Sequence, residues 1–214
     1  IVVWCPLNET WMDLKETDKV RDVRFVQAVY AFTKALDDTR PCIDVSGGYH
    51  GKFTDIYDIH TYSDPKALKD EIDALYLRGE IIYRNDYILS PWKMFEKTDY
   101  DNKLPVMISE YGGVSFCSEG NGWGYISSDS EEDFVNGYIE RTKLLLDCPV
   151  ISGFCYTQLY DIEQEQNGLF TYSREPKLSE VAMKKIADCN KMISAIEKGK
   201  NISYFFRQIK KRFF

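Results

Sequence analysis

The sequence predicts an α/β protein built around a parallel sheet, and three observations predict it. Short apolar runs alternate along the chain with longer amphipathic stretches, which is the order of strand and helix in repeated βα units. The apolar runs do not alternate strictly between apolar and polar residues, as expected for strands that are buried on both faces. Polar residues follow the ends of these runs, at the edge where α/β barrels and open parallel sheets bind their ligands.

The first 47 residues predict a strand, a helix and a second strand. "IVVWC" (1–5) is strand-like, and we expect it to be an internal strand of a domain. The stretch 18–38 is predicted as a helix because its apolar side chains recur near helical spacing, at Val23, Val26, Val29 and Tyr30. "RPCIDVSG" (40–47) then predicts a strand that ends at a glycine.

The middle of the chain predicts two more strands with a helix between them. Residues 54–62 form the next strand-like run. The following stretch, 64–79, predicts a helix, since Pro65 lies in its first turn and Gly79 follows its end. "LPVMISEYGG" (104–113) predicts a fourth strand.

The last part of the chain predicts helix, strand and helix. Residues 130–147 predict a helix, because Ser130 is a good N-cap and acidic residues fill the first turn. Residues 150–159 predict the fifth strand, and 177–199 a closing helix. We therefore expect residues 1–199 to form one unit, followed by a basic and aromatic tail at 200–214.

Composition and charge exclude several classes of function. The 214 residues carry a net charge of −7, which does not favour a nucleic-acid partner. No run of about 18 apolar residues is present, so we expect no membrane span. The glycine-rich fingerprints that cradle phosphates are absent, and "GGYHG" and "GNGWG" are predicted to be loops.

The six cysteines show no Cys-x-x-Cys pair and no metal-ligand spacing. We predict reduced, buried thiols, as is usual in a reducing compartment, and hence a cytoplasmic location. The sequence therefore predicts no metal site and no cofactor.

Two glutamates at strand ends carry the functional prediction. Glu9 follows the first predicted strand, and Glu110 ends a strand three further along. Two carboxyl groups about 5 Å apart serve a retaining glycosidase as acid/base and nucleophile, and Tyr62 is placed to donate a hydrogen bond to the nucleophile. Taken singly, Glu9 could be a helix-start acid and Glu110 a loop charge. An enolase-type metal barrel needs at least three carboxylates, and Asp44 and Asp58 are better explained by structural hydrogen bonds.

Four motifs in order, "NETW", "DIHTY", "ISEYGG" and "GFCYTQLYDIEQEQNGLFTYSREPK", resemble the barrel domain of glycoside hydrolase family 2. The resemblance covers roughly residues 1–180 and implies the C-terminal part of a (β/α)8 TIM barrel, about strands four to eight. It implies that Glu9 is the acid/base and Glu110 the nucleophile. It also implies that Asn8 holds the sugar 2-hydroxyl and that Tyr62 orients Glu110.

Further residues are predicted to contact the sugar. Trp11 is the better candidate for a stacking platform, and Trp123 a second one. His60 is expected to bind a sugar hydroxyl, although a packed, hydrogen-bonded histidine is nearly as good an explanation. The family commonly places a tryptophan at the end of its eighth strand. Tyr156 occupies that place here, and Gln158 follows it.

The predicted function is a retaining exo-β-glycosidase with a carbohydrate substrate. Glucuronidases of the family carry an Asn-x-Lys pair, but the matching residues here are Glu165, Gln166 and Asn167. An acid at that place repels a uronate, so the sequence favours a neutral sugar, and the resemblance favours a β-galactosidase. The alternative is a non-catalytic carbohydrate-binding or inert fragment. A sheet with open edges also predicts possible homo-oligomers.

Overall fold

A computed structural model of the chain describes residues 1–10, 22–48, 50–78, 104–116 and 122–199. Within them lie four α-helices and two small parallel sheets. The helices are α1 (Val23–Leu36), α2 (Pro65–Asp73), α3 (Glu131–Asp147) and α4 (Glu180–Asn190). The strands are β1 (Tyr57–Thr61), β2 (Val106–Gly112), β3 (Val114–Ser115), β4 (Ile126–Ser127) and β5 (Ile151–Thr157). Two predicted features, the Trp11 platform and the 200–214 tail, lie outside the described residues.

The main sheet has three strands in the order β1-β2-β5, and both pairings are parallel. The α/β class and the parallel sheet predicted from the sequence are therefore confirmed. A closed barrel is not seen in the part of the chain that the structure describes. The register between β1 and β2 shifts between Ile59 and His60, so that His60 lies beside Glu110.

The first two predicted strands are present as extended segments and not as regular strands. Isolated parallel bridges join Trp4 to Cys42 and Asn8 to Ser46. The backbone of this pair is held by the Trp4 N–H, which donates to the Pro41 carbonyl at 3.0 Å, and by the Ile43 N–H, which donates to the Trp4 carbonyl at 2.8 Å. The segment at 42–46 makes no strand pairing with β1 among the described residues.

Side chains take the place of that missing pairing. His50 bridges the gap, because its Nδ1 lies 2.6 Å from Asp44 Oδ1 and its Nε2 lies 2.9 Å from the Asp58 carbonyl oxygen. The Gly47 N–H donates to Asp58 Oδ2 at 2.7 Å. Asp44, His50 and Asp58 are all fully buried. Asp44 and Asp58 thus have the hydrogen-bonding role that the sequence favoured, and they explain why this segment is not a regular strand.

The helices α2 and α3 begin at the predicted caps, and α3 ends at Asp147 as predicted. Helices α1 and α4, predicted from 18 and 177, begin at Val23 and Glu180. Side-chain oxygens of Asp22, Asp64, Ser130 and Ser179 accept N–H groups of the first turns. The helix predicted to reach residue 79 ends at Asp73 and continues as a π-helical turn over Ala74–Arg78. The closing helix, predicted to reach 199, ends at Asn190. The chain then folds back, and the N–H of the buried Ala195 donates to the Leu146 carbonyl at 2.7 Å.

Two hydrophobic clusters hold the helices against the sheet. One lies between the main sheet and α2 and α3, and includes Ile59, Leu68, Val106, Ile108 and Leu145. The other joins α3 and α4 to the short strands and includes Val114, Phe134, Leu178 and Ile186. In the ranges that the structure covers, no helix is long and apolar enough to span a membrane.

The cysteine prediction is confirmed in part. The five described cysteines are free thiols, and Cys42, Cys148 and Cys189 are buried as predicted. Cys5 and Cys155 are exposed, which corrects the prediction that all would be buried. Both are exposed because Cys5 lies in the outermost extended segment and Cys155 on β5, the last strand in the order of the main sheet.

Candidate active site

Glu9 lies at the end of the first extended segment. Its backbone φ is 45°, in the left-handed region that is uncommon for residues with a Cβ. Its N–H donates to the Ser46 carbonyl at 2.7 Å. Such a conformation costs free energy and persists only where surrounding contacts hold it, and it occurs often at functional sites. Here it directs the carboxylate towards the end of β1, where His60 lies.

Glu110 lies at the same edge of the sheet, on β2. The Tyr62 hydroxyl donates a short hydrogen bond to Glu110 Oε2. His60 joins the two glutamates, since its Nδ1 lies 2.9 Å from Glu9 Oε1 and 3.4 Å from Glu110 Oε2. One oxygen of each carboxylate and the imidazole nitrogen all lie within 4.8 Å of one another. The structure thus brings together four residues that the sequence singled out.

The protonation of Glu110 depends on opposing influences. Burial raises the pKa of its carboxyl above the ordinary value, and the nearby charges of Glu9 and Asp58 raise it further. His60 and the Tyr62 hydrogen bond act the other way. Burial and the charge of Glu110 hold the pKa of Tyr62 far above its usual range, so its hydroxyl remains a donor.

A group of buried polar side chains lies behind His60. Its Nε2 is 2.7 Å from Ser46 Oγ and 3.0 Å from Ser109 Oγ. Ser109 Oγ also lies 2.9 Å from Ser46 Oγ and donates to Asp58 Oδ2 at 2.9 Å. Gly47 packs directly on the imidazole: its φ is 59°, and a Cβ there would lie 2.2 Å from the ring. The position of the imidazole is therefore fixed from behind as well as from the carboxylate side.

Aromatic rings form one wall of the site. Tyr62 and Tyr125 are stacked, with ring centroids 3.6 Å apart and an interplanar angle of 2°. Trp123 meets Tyr125 edge to face and is half exposed. Gly113 permits the close approach, because a Cβ at its φ of 61° would lie 2.6 Å from both tyrosine rings. Trp123 is consequently placed where a sugar platform would be useful.

Asn8 and Gln158 are the remaining predicted polar contacts. Asn8 is exposed beside Glu9. Gln158 follows a cis peptide bond after Thr157, and its Nε2 donates to Asn167 Oδ1 at 2.7 Å. Asn167 Nδ2 in turn donates to Glu165 Oε1 at 3.0 Å. Gln158 is thereby linked to the acidic residue on which the prediction of a neutral sugar depends.

Tyr156 is not brought to the carboxylates, which corrects its predicted role as the sugar floor. Its ring packs against Tyr111 and Tyr138, with centroids 5.5 Å and 4.7 Å away. The Tyr111 hydroxyl is hydrogen-bonded to Thr142 on α3, so Tyr111 and Tyr156 lie on the side of the sheet that the helices cover. The pairing of Tyr156 with Tyr111 in register explains the result, because Glu110 then faces the opposite side.

Sequence reasoning missed several residues of the site. Ser46, Ser109 and Tyr125 drew no attention because single serines and tyrosines carry no spacing signal. Cys155 was predicted to be a core residue. The pKa of its thiol is raised first by partial burial and second by the charge of Glu110. Neighbouring residues of a strand face opposite sides of the sheet, so pairing Tyr156 with Tyr111 would have placed Cys155 on the same side as Glu110.

The cluster of Glu9, His60 and Glu110 is compact enough to share one cation as well as protons. The hydrogen bonds described above already account for the position of each group. We therefore interpret the arrangement as a site for proton transfer and nucleophilic attack.

No protein-family profile and no curated protein matches the chain. Several solved structures do. A GH2 β-galacturonidase from Eisenbergiella tayi bound to glycerol has a TM-score of 0.56 at 18% identity, covering 91% of this chain and 34% of its own. The Bifidobacterium dentium β-glucuronidase complexed with coumarin-3-O-glucuronide has a TM-score of 0.55 at 18% identity, covering 91% of this chain and 31% of its own. The Lactobacillus rhamnosus β-glucuronidase has a TM-score of 0.53 at 16% identity, covering 92% of this chain and 33% of its own.

The chain thus spans about a third of the length of the solved structures that it matches. The likeness shows that the described α/β arrangement is shared with part of these glycosidases.

Proposed function

We propose that this chain is the catalytic part of a retaining β-glycosidase of the glycoside hydrolase family 2 kind. In this proposal it supplies about strands four to eight of a (β/α)8 barrel, and residues 200–214 are a separate tail. The observation that carries the proposal is the closeness of an oxygen of Glu9 to an oxygen of Glu110, within 4.8 Å. Retaining enzymes hold their carboxyl groups about 5–5.5 Å apart, and inverting enzymes about 6.5–9.5 Å.

The two glutamates differ in ways that support different roles. The Glu110 side chain is 24% exposed and has a phenol donor on one oxygen, as a nucleophile held in place requires. The Glu9 side chain is 36% exposed, on the side open to solvent. A leaving group departs and a water molecule arrives from that side. We assign Glu110 as nucleophile and Glu9 as acid/base.

The reaction proceeds by double displacement. Glu110 attacks the anomeric carbon and forms a covalent glycosyl ester, while Glu9 gives its proton to the departing glycosidic oxygen. Glu9 then takes a proton from water, whose oxygen attacks the anomeric carbon and releases Glu110. The Tyr62 hydroxyl stabilises the Glu110 carboxylate before attack and after release.

A neutral sugar, of which galactose is our choice, fits the chain better than a uronate does. Glu165 lies beside Asn167 in the hydrogen-bonded chain that reaches Gln158. Lys177, the described lysine that contacts this loop, donates to Asp161 Oδ1 at 2.8 Å and to the Gln166 carbonyl at 3.0 Å. Its charge is already paired, whereas uronate recognition needs a cation directed at the substrate. The free thiols and the Asn8-Glu9-Thr10 sequon at the site are in keeping with a cytoplasmic protein.

The test is turnover of aryl β-glycosides by the protein expressed from its full reading frame. We expect hydrolysis of the β-galactoside to exceed that of the β-glucuronide and the β-galacturonide, with the β anomer as the first product by NMR. Faster turnover of a uronide would overturn the choice of sugar and leave the reaction class intact. Sugar binding without turnover of any glycoside would instead support the non-catalytic alternative.

The roles of the two glutamates are tested separately. Glu110→Ala should abolish turnover, and added azide should restore it with an α-glycosyl azide as product. A β-glycosyl azide would reverse the two assignments, since azide would then be replacing the acid/base and not the nucleophile.

A further inference from the structure

We infer that Ser46, Ser109 and Asp58 form a directed hydrogen-bond chain that fixes a proton on His60 Nε2 and so reserves Nδ1 for Glu9. The three residues are then positioning residues for the acid/base. Their effect on catalysis rests on the proposed function, whereas the proton position on His60 does not.

The direction of the chain is set at Asp58. This residue is fully buried, and Oδ2 accepts the Gly47 N–H at 2.7 Å while Oδ1 accepts the Ser109 N–H at 3.2 Å. The Ser109 hydroxyl lies 2.9 Å from Oδ2. A carboxylate only accepts hydrogen bonds, so the single hydroxyl proton of Ser109 is committed to Asp58.

The next link follows from that commitment. Because its proton is used, Ser109 Oγ can only accept, and it has two neighbours: Ser46 Oγ at 2.9 Å and His60 Nε2 at 3.0 Å. If Nε2 carried no proton, Ser46 would donate to it at 2.7 Å, and Ser109 Oγ would face two lone pairs with no proton between. Buried polar contacts of that kind are costly. A proton on Nε2, together with a Ser46 proton directed at Ser109, satisfies all of these contacts.

The consequence lies on the other side of the ring. With Nε2 protonated, one proton remains to be shared between Nδ1 and Glu9 Oε1, 2.9 Å apart. Either Nδ1 donates to the carboxylate, or the carboxylic acid donates to Nδ1. The proton that Glu9 gives to the leaving oxygen returns from water in the second step, so the chain behind the ring gains and loses none. Its contribution is to fix the imidazole, and through the contact between Nδ1 and Oε1 the position of the Glu9 carboxyl group, in both steps.

The catalytic test compares Ser109→Ala with Ser109→Thr in the protein from its full reading frame. Ser109→Ala removes the hydrogen bond to Asp58 and the acceptor for Ser46, so kcat should fall about tenfold. KM should change less than twofold. The fall should be larger for substrates with poor leaving groups, which need the proton of Glu9. The basic limb of the pH–rate profile should also move, and Ser109→Thr should restore both.

Ser115→Ala is the matched control, because it also removes a hydrogen-bonded serine hydroxyl but lies on β3, outside this chain of bonds. It should leave the pH–rate profile and the leaving-group dependence unchanged. The inference is overturned if Ser109→Ala behaves in both respects like Ser115→Ala.

The second test reads the proton directly and needs no activity. Long-range 1H–15N spectra of the protein labelled with 15N-histidine, with the His60 signals assigned by their loss in His60→Asn, distinguish the two ring nitrogens. We expect a protonated Nε2 in the wild type and a mixture in Ser109→Ala. An unprotonated Nε2 in the wild type overturns the inference whatever the enzyme does. A protonated Nε2 in a protein that hydrolyses no glycoside would sustain the chain and refute the proposed function.

Discussion

Glu110 is held by the Tyr62 hydroxyl inside a setting that disfavours its charge. Since Glu110, as the proposed nucleophile, acts as an anion, activity should be lost as the pH falls through its pKa. That pKa is raised above the ordinary carboxyl value, mainly by burial. The acidic limb of the pH–rate profile should therefore lie above pH 4.5, which is the reference value for glutamate.

Removing the phenol donor should move this limb further. Tyr62→Phe deletes a hydrogen bond that lowers the pKa of Glu110, so the acidic limb should shift to higher pH. The loss of kcat/KM should be largest on the acidic side, about tenfold for a charge-assisted bond. Tyr160→Phe, at an exposed tyrosine, is the control. A limb that stays in place in Tyr62→Phe would mean that another group sets it.

Tyr156 gives a prediction of the opposite kind, since, among the described residues, its buried hydroxyl makes no hydrogen bond of normal geometry and has only the Val114 backbone nearby. Tyr156→Phe should unfold at a denaturant concentration no lower than the wild type and should keep its activity within twofold. Tyr111→Phe, which loses the bond to Thr142, should cost about 1 kcal/mol. A large loss of kcat/KM in Tyr156→Phe would return Tyr156 to the sugar site.

At this scale the sequence allowed the chemical groups to be predicted, but not their orientation. Glu9, Glu110, Tyr62 and His60 were found because carboxylates and their partners at strand ends carry a recognisable pattern. Tyr156 was misplaced because facing depends on register with β2, which is a long-range property.

Among the elements, the segment from 42 to 50 depends on one buried ion pair. Both ring nitrogens of His50 face acceptors, the Asp44 carboxylate and the Asp58 carbonyl, so both must donate and the ring is charged. Burial by itself lowers the pKa of His50, but the hydrogen bond and charge of Asp44 outweigh it, and the pKa is raised.

This pair should make stability depend on pH. A raised pKa in the folded state gives a contribution that is complete below the unfolded pKa, about 6.5, and is lost as the pH rises through the folded value. Urea unfolding of the wild type should show this decline above pH 6.5, and His50→Gln should lack it. Parallel pH dependences for the two proteins would exclude the ion pair as the cause.

The starts of α2 and α3 and the end of α3 were predicted correctly, whereas the start of α4, predicted at 177, lies at Glu180, and its end, predicted at 199, lies at Asn190. The caps at Asp64 and Ser130 are satisfied within the next three residues, so local sequence suffices. The end of α4 is followed by a turn whose Ala195 bonds to Leu146 on α3, which is distant in sequence. Side-chain bonds from His50 likewise replaced a strand pairing that local sequence favoured.

Considered as a whole molecule, the chain exposes apolar side chains at its first two residues and on α1. Ile1 and Val2 are 82% and 84% exposed, and Arg40, just after α1, donates to the Ile1 carbonyl at 3.1 Å. Phe32 and Leu36 on α1 are also exposed. Exposed apolar groups beside an unpaired sheet edge favour association.

We therefore expect the 214-residue chain, expressed by itself, to self-associate and to show negligible glycosidase activity. Sedimentation velocity should show the association weakened in the double variant Phe32→Lys, Leu36→Lys. Lys66→Glu, an exposed charge change on α2, serves as the control. A monomer with normal turnover would contradict both this prediction and the half-barrel proposal.

The α/β class and the parallel sheet could be predicted from local patterns, because the apolar residues of a strand indicate whether it is buried. Barrel closure has no such local signal. It depends on pairings between distant strands. The described residues show a three-stranded main sheet, a separate two-stranded sheet and two extended segments.

The left-handed backbone of Glu9 has a consequence for protein engineering, because selection for stability and selection for activity make opposite demands at this position. At most sites alanine is more stable than glycine. At a φ of 45° the order should reverse, with Glu9→Gly about 1 kcal/mol more stable than Glu9→Ala, as thermal unfolding can measure. A library screened for heat resistance alone would thus tend to replace Glu9, the proposed acid/base. Any thermostabilisation of this protein has to carry an activity selection alongside.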